Sequence, residues 1–136
     1  MGGEPGTICA PVPLNGDIVF GDVIALVDGQ APVTISSVEL VDAVGIEVVG
    51  SYVVPVDGGS PIMTMLLTEP TAGWSDRRRA KGETLGAQPV NVALQVQRSG
   101  AGESKAAALR VTYTTEDGAT HYDDGSTSLR LADVCP

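Results

Sequence analysis

Residues 90–97 alternate cleanly: Val90, Val92, Leu94 and Val96 on one parity, Asn91, Ala93, Gln95 and Gln97 on the other. A period of two puts each set on its own side of a pleated strand, so this stretch predicts a half-buried strand with its valines in a core. Leu109, Val111 and Tyr113 against Arg110, Thr112 and Thr114 repeat the pattern, and Glu116-Asp117-Gly118 after them is a hairpin-turn signal. In Val33–Val41 the alternation changes phase: Val33 and Ile35 share one parity, Val38 and Leu40 the other. One extra residue near Ser36-Ser37 puts all four on the same face and leaves Glu39 outside, which predicts a β-bulge.

Strand signals also cover 17–27, 46–56 and 62–67, the second of these interrupted by Gly50 and Pro55. Turns are expected at 28–30 and 57–59, where Asp and Gly cluster. A last strand returns through Thr120, His121 and Tyr122 and, after Asp123-Asp124-Gly125-Ser126, through Leu129 and Leu131. Residues 1–16 read as an extended arm held near polyproline II by Pro5, Pro11 and Pro13. Residues 68–89 form one long irregular loop, in which Ser75-Asp76 caps a short helical segment reaching Lys81. Gly and Pro interrupt every window long enough to test for a helical period. The expectation is all-β: an arm over 1–16, then a single domain over 17–136 built as an antiparallel immunoglobulin-like sandwich of about seven strands.

The runs 33–41 and 46–56, followed by 90–96, 109–113 and 122–131, resemble immunoglobulin-like β-sandwich domains of secreted bacterial proteins. The resemblance covers most of 17–131, rests on the strand pattern with no diagnostic motif, and implies a β-sandwich. The chain departs from antibody domains in lacking the Cys…Trp…Cys core: Trp74 falls in the long loop, and both cysteines lie outside the strands.

Composition supports strands, since valine outnumbers leucine and Gly and Pro are frequent. With 136 residues, of which 43% are hydrophobic, the chain is long enough for a core and too apolar for disorder. No apolar run approaches the roughly 18 residues that span a bilayer as a helix. Charge is distributed unevenly. Residues 1–73 contain no Lys, Arg or His, whereas Arg77, Arg78, Arg79 and Lys81 supply half of the eight Lys and Arg. A net charge of −9 argues against nucleic-acid binding and against adhesion to anionic membranes.

The only two cysteines, Cys9 and Cys135, bracket nearly the whole chain. They read either as two separate buried thiols or, better given their terminal positions, as one disulfide formed in an oxidising, extracytoplasmic compartment. A bond requires Cα atoms within about 7 Å, and therefore an arm lying beside the last strand.

Candidate chemistry is sparse. His121, the lone histidine, is expected to be solvated or hydrogen-bonding rather than catalytic, and no G-x-S-x-G motif is present. Asp123-Asp124-Gly125-Ser126, with Glu116 and Asp117 nearby, offers oxygens to calcium without the usual loop spacing. Met63 and Met65 share a parity, as copper-carrying sandwiches use, though the core is the simpler place for them. The most unusual segment is Trp74 with Arg77, Arg78, Arg79 and Lys81, the residue types that interface hot spots favour. The simpler reading of that segment is structural, with Trp74 capping one end of the core and the arginines satisfying acidic strands; the other makes it a candidate interaction surface. The expectation is a non-catalytic extracytoplasmic domain for recognition, adhesion or an envelope accessory role, with no cofactor and a protein or envelope partner. The alternative is a metal-carrying or calcium-stabilised envelope protein.

Overall fold

The computed structural model describes residues 6–24, 26, 30–56, 62, 64–70, 73–100 and 102–135. Pro5, Met63, the turn expected at 57–59 and most of the one at 28–30 lie outside the described residues. The fold is all-β. Among the described residues there are twelve strands: β1 (Gly6–Pro11), β2 (Asp17–Ile24), β3 (Val33–Val41), β4 (Ile46–Pro55), β5 (Thr64–Met65), β6 (Arg78–Arg79), β7 (Thr84–Leu85), β8 (Val90–Arg98), β9 (Ser104–Ala106), β10 (Ala108–Thr114), β11 (Thr120–Asp124) and β12 (Thr127–Ala132). They form three sheets, ordered β5-β2-β8-β4-β6, β11-β10-β3-β7 and β1-β12-β9. Every pairing is antiparallel except β1 with β12.

The two smaller sheets are branches of one long hairpin. Arg110 faces Asp124 in β10–β11, and Ala106 faces Leu129 in β9–β12, a shift of one residue between the two halves. Gly125 sits at the shift, its N–H bonded to the Leu109 carbonyl (2.8 Å). One extra residue of this kind bends a strand pair and lets it serve two sheets. Both branches face the five-stranded sheet across a common core. Ile18, Phe20, Val92, Leu94 and Val96 supply one side, and Ile35, Val38, Leu109, Val111 and Leu129 the other.

The expected count of about seven strands is too low, and the fold is not a simple seven-strand immunoglobulin sandwich. Each of the seven signals holds a strand, although among the described residues that of 62–67 is reduced to the two residues of β5, and the last splits into β11 and β12 at the hairpin bend. β6, β7 and β9 are two or three residues long, too short to carry a periodicity. β1 replaces the expected polyproline-like arm over its length, because its backbone hydrogen-bonds in register beside β12. The expected long loop of 68–89 likewise holds two edge strands. β6 pairs with β4, β7 pairs with β3, and Ala80, fully buried, marks the crossing from one sheet to the other. Among the described residues, helical structure in this segment is a single 3-10 turn, Trp74–Asp76, which gives way to β6 instead of reaching Lys81. Gly73, with φ 91°, precedes it in place of a side-chain cap.

The bulge in β3 lies where the phase change predicted it. Thr112 faces Ser37 and Tyr113 faces Ile35, which leaves Ser36 as the extra residue. Val33, Ile35 and Val38 are buried, Leu40 packs partly buried against them, and Glu39 is exposed.

β8 departs from the half-buried expectation. Asn91 and Ala93, its polar-parity positions, are as buried as the valines. The outer face of the five-stranded sheet carries a second, smaller core of Val19, Val54, Ile62, Met65, Trp74 and Ala93. Asn91 Oδ1 accepts the Ile62 N–H (3.0 Å), which pins the covering segment to the sheet. A period of two reports a clean alternation but not whether a loop later covers the polar side.

Cys9 and Cys135 form the disulfide, with Cα atoms 5.8 Å apart. β1 runs beside β12 as that bond requires. Arg98, buried at the end of β8, reinforces the same end: its Nη1 donates to the Val12 carbonyl (2.9 Å) and to Asp133 Oδ1 (2.7 Å). The bond closes a loop of sequence separation 126. In the chain-entropy model such a cross-link is worth about 4–5 kcal/mol. Urea melts with and without reductant should therefore show a loss of that order in the reduced protein. Superimposable melts would show that strand pairing alone holds the termini.

Candidate functional site

The basic segment is presented by the second core. Trp74 is buried and meets Tyr52 edge-on, with ring centroids 5.5 Å apart. Tyr52 leans back along β4 over Gly50. A Cβ built on that glycine would stand 2.6 Å from the Tyr52 hydroxyl, so the missing side chain makes room for the ring. The Arg77 guanidinium lies over both rings, 4.6 Å from the Trp74 centroid and 5.2 Å from that of Tyr52. Its Nη1 also donates to the Trp74 carbonyl (3.1 Å). An exposed cation–π contact is worth about 0.5–1 kcal/mol, enough to orient a side chain and little more.

Beyond Arg77 the chain enters β6, where strand alternation separates its neighbours. Arg78 faces Val53, whose side chain points to the main core, and its guanidinium lies 3.6 Å from Glu83. Arg79 faces Tyr52 and therefore shares the outer side with Arg77. Arg77, Arg78, Arg79 and Lys81 are all exposed. Arg79 and Lys81 line a shallow hollow of about 320 Å³ with Val49, Gly50, Ser51 and Tyr52. Arg77, Arg79 and Lys81 form no ion pair among the described residues, whereas Arg98, Lys105 and Arg110 each form one. Sequence reading found the cations but missed Tyr52 and Gly50. A glycine inside a strand often marks a close approach, and Gly50 was the available signal.

The other candidates lie apart. The Arg110 guanidinium grips Asp124 through Nε and Nη2 (2.7 and 2.9 Å) and sits 4.1 Å from the Tyr122 ring centroid. That bond holds the Asp124 carboxyl below the usual aspartate range. Asp117 is lowered as well, first by the Thr115 hydroxyl and then by the Ala119 N–H. Tyr113 is raised, chiefly by burial and then by Asp123. The acidic residues weighed for calcium are thus spent on turn and strand contacts at Asp117 and Asp124. Among the described residues no three His, Cys, Asp or Glu side chains converge on one point. Met65 is buried in the second core beside Trp74. His121 is exposed, its ring 5.7 Å from that of Tyr113.

No family model, no curated protein and no solved structure matches the chain.

Two outcomes follow from this geometry. Trp74→Ala empties the second core and should cost about 3–5 kcal/mol, whereas reversing the exposed Arg77 and Arg79 should cost under about 1 kcal/mol per charge. Paired denaturant melts check the contrast; a larger loss from charge reversal would overturn it. Asp117 and Asp124 titrate lower in the folded protein than in the unfolded chain. Their stabilisation is present above the unfolded value and is lost as pH falls through the lowered folded one. Asp124→Asn should therefore flatten the acid limb of a stability-versus-pH curve, by a small amount because the pair is exposed. An unchanged acid limb would show that the pairing with Arg110 is not felt in solution.

Proposed function

We propose that the protein is a non-catalytic extracytoplasmic recognition domain, secreted or held at the cell envelope, whose basic platform binds an acidic partner. The observation that carries this reading is the arrangement of Arg77, Arg79 and Lys81. They are exposed cations without acidic partners among the described residues; Arg79 and Lys81 line a hollow that Tyr52 also borders, and Arg77 lies over the Tyr52 and Trp74 rings. A merely structural basic segment would spend its charges on nearby carboxylates, as Arg78 does on Glu83 and Arg110 on Asp124. Val49, an exposed valine, borders the same hollow and adds an apolar contact. The net charge of −9 opposes an acidic partner only at long range, because the Debye length is about 8 Å at physiological salt. Close to the platform, the local cations decide.

The disulfide supports the oxidising compartment, and no helix among the described residues is long and apolar enough to cross a membrane. Two sheets or sheet branches packed over a shared core support an elaborated immunoglobulin-like sandwich as the scaffold, with β1, β6, β7 and β9 as additions. Such a scaffold is rigid, and recognition through segments carried on its rim follows naturally.

A glutamate-rich peptide titrated into the protein should perturb the amides of Ser51, Arg79 and Lys81 saturably. Binding should weaken steeply between low and physiological salt. The variant Arg77→Glu, Arg79→Glu, Lys81→Glu should lose binding at least tenfold with its melt nearly unchanged. Equal binding by that variant would remove the platform from the function.

A further inference from the structure

We propose that the open end of the sandwich between β2 and the β10–β11 hairpin binds a small amphipathic cation, an amine carried on an apolar body. A hollow of about 340 Å³ opens there, within the size range of small-molecule sites. Its deep wall is made of Val33, Leu85, Leu109 and Val111, buried members of the main core, with Ile24 and Tyr113 partly buried nearer the mouth. An apolar group placed against these side chains would leave water as completely as a core residue does.

The polar lining has one sign. Asp22, Asp123 and Asp124 border the hollow, and no Lys, Arg or His does so among the described residues. Asp124 is neutralised by Arg110. The Tyr113 hydroxyl is raised by burial and then by the charge of Asp123, which pairs with no cation among the described residues. Asp22, which accepts the Val23 N–H (2.9 Å), likewise pairs with no cation among the described residues. Asp22 belongs to the five-stranded sheet yet reaches the other side of the gap. A Cβ built on Gly125 would stand 2.7 Å from its Oδ2, so the absent side chain leaves that carboxylate room in the opening. Two uncompensated carboxylates beside an apolar hollow, with the Tyr113 ring in its wall, match an ammonium group followed by a hydrocarbon body. An anion would meet repulsion at the same mouth, and a neutral molecule would leave the charges unanswered. The site lies on elements other than the basic platform and does not depend on it.

Three probes of equal chain length separate the terms: hexylamine, hexanol and hexanoate, each titrated into the intact, oxidised protein and followed by methyl NMR. Hexylamine should saturate, shifting the methyls of Ile24, Leu109 and Val111, and should bind at least tenfold more tightly than hexanol, with hexanoate showing no saturation. Asp22→Asn should reduce hexylamine to the level of hexanol while the melt stays in place. Should that variant fold poorly, Asp123→Asn gives the same readout from the other side of the mouth. Hexanoate binding as well as hexylamine, shifts located elsewhere, absence of saturation by hexylamine, or undiminished hexylamine binding by both variants would overturn the proposal.

Discussion

The structure turns on the burial of β8 from both sides. Val92, Leu94 and Val96 close the main core on one face, and Asn91 and Ala93 receive the covering segment on the other. Because β8 pairs with β2 and β4 along nearly its whole length, it holds those strands at the register both cores need. Without the inner set there is no sandwich. Without the outer set there is nothing for Trp74 to pack on, and the Arg77 guanidinium loses the rings beneath it. Where both faces are buried, at residues 91–94, such a strand tolerates little change of volume on either side.

The ends of the chain meet a different constraint. β1 is the only parallel strand among the described residues, and parallel neighbours need a long connection between them. Here that connection is almost the entire protein, so the loop entropy is close to the largest this chain can present. The Cys9–Cys135 bond removes that cost from the unfolded state, and Arg98 ties the arm and the C-terminal turn to the end of β8. Covalent and polar contacts thus collect at the place where burial alone is least able to hold an edge strand.

Charge is sorted in space as well as in sequence. The basic platform stands at the β4–β6 edge, whereas Asp22 and Asp123 border the opening between β2 and the β10–β11 hairpin. Cations elsewhere are mostly consumed by local partners, as Arg98 is by Asp133 and Arg110 by Asp124. Unpaired charges of opposite sign nevertheless stand beside apolar or aromatic surface at two openings, Arg79 and Lys81 at one and Asp22 and Asp123 at the other. Recognition sites have that composition, and a stable sandwich does not need it.

Much of this was legible in the chain itself. The period-two runs marked the long strands, the phase change in 33–41 located the bulge at Ser36, and two terminal cysteines were enough to name the disulfide. Those features are local, or are forced by having only one possible partner. Tertiary structure alone decided the rest. β6, β7 and β9 are too short to show a period and exist because a longer strand offers them an edge. Asn91 looks solvent-facing by alternation and is buried where Ile62, distant in sequence, bonds to its side chain. The arginine run was visible as charge, but strand geometry turned Arg78 one way and Arg77 and Arg79 the other, and Gly50 let Tyr52 lie beneath them. Sequence carries the preferences of each segment; which faces are covered, and which charges are left without partners, depends on contacts between segments that no local pattern records.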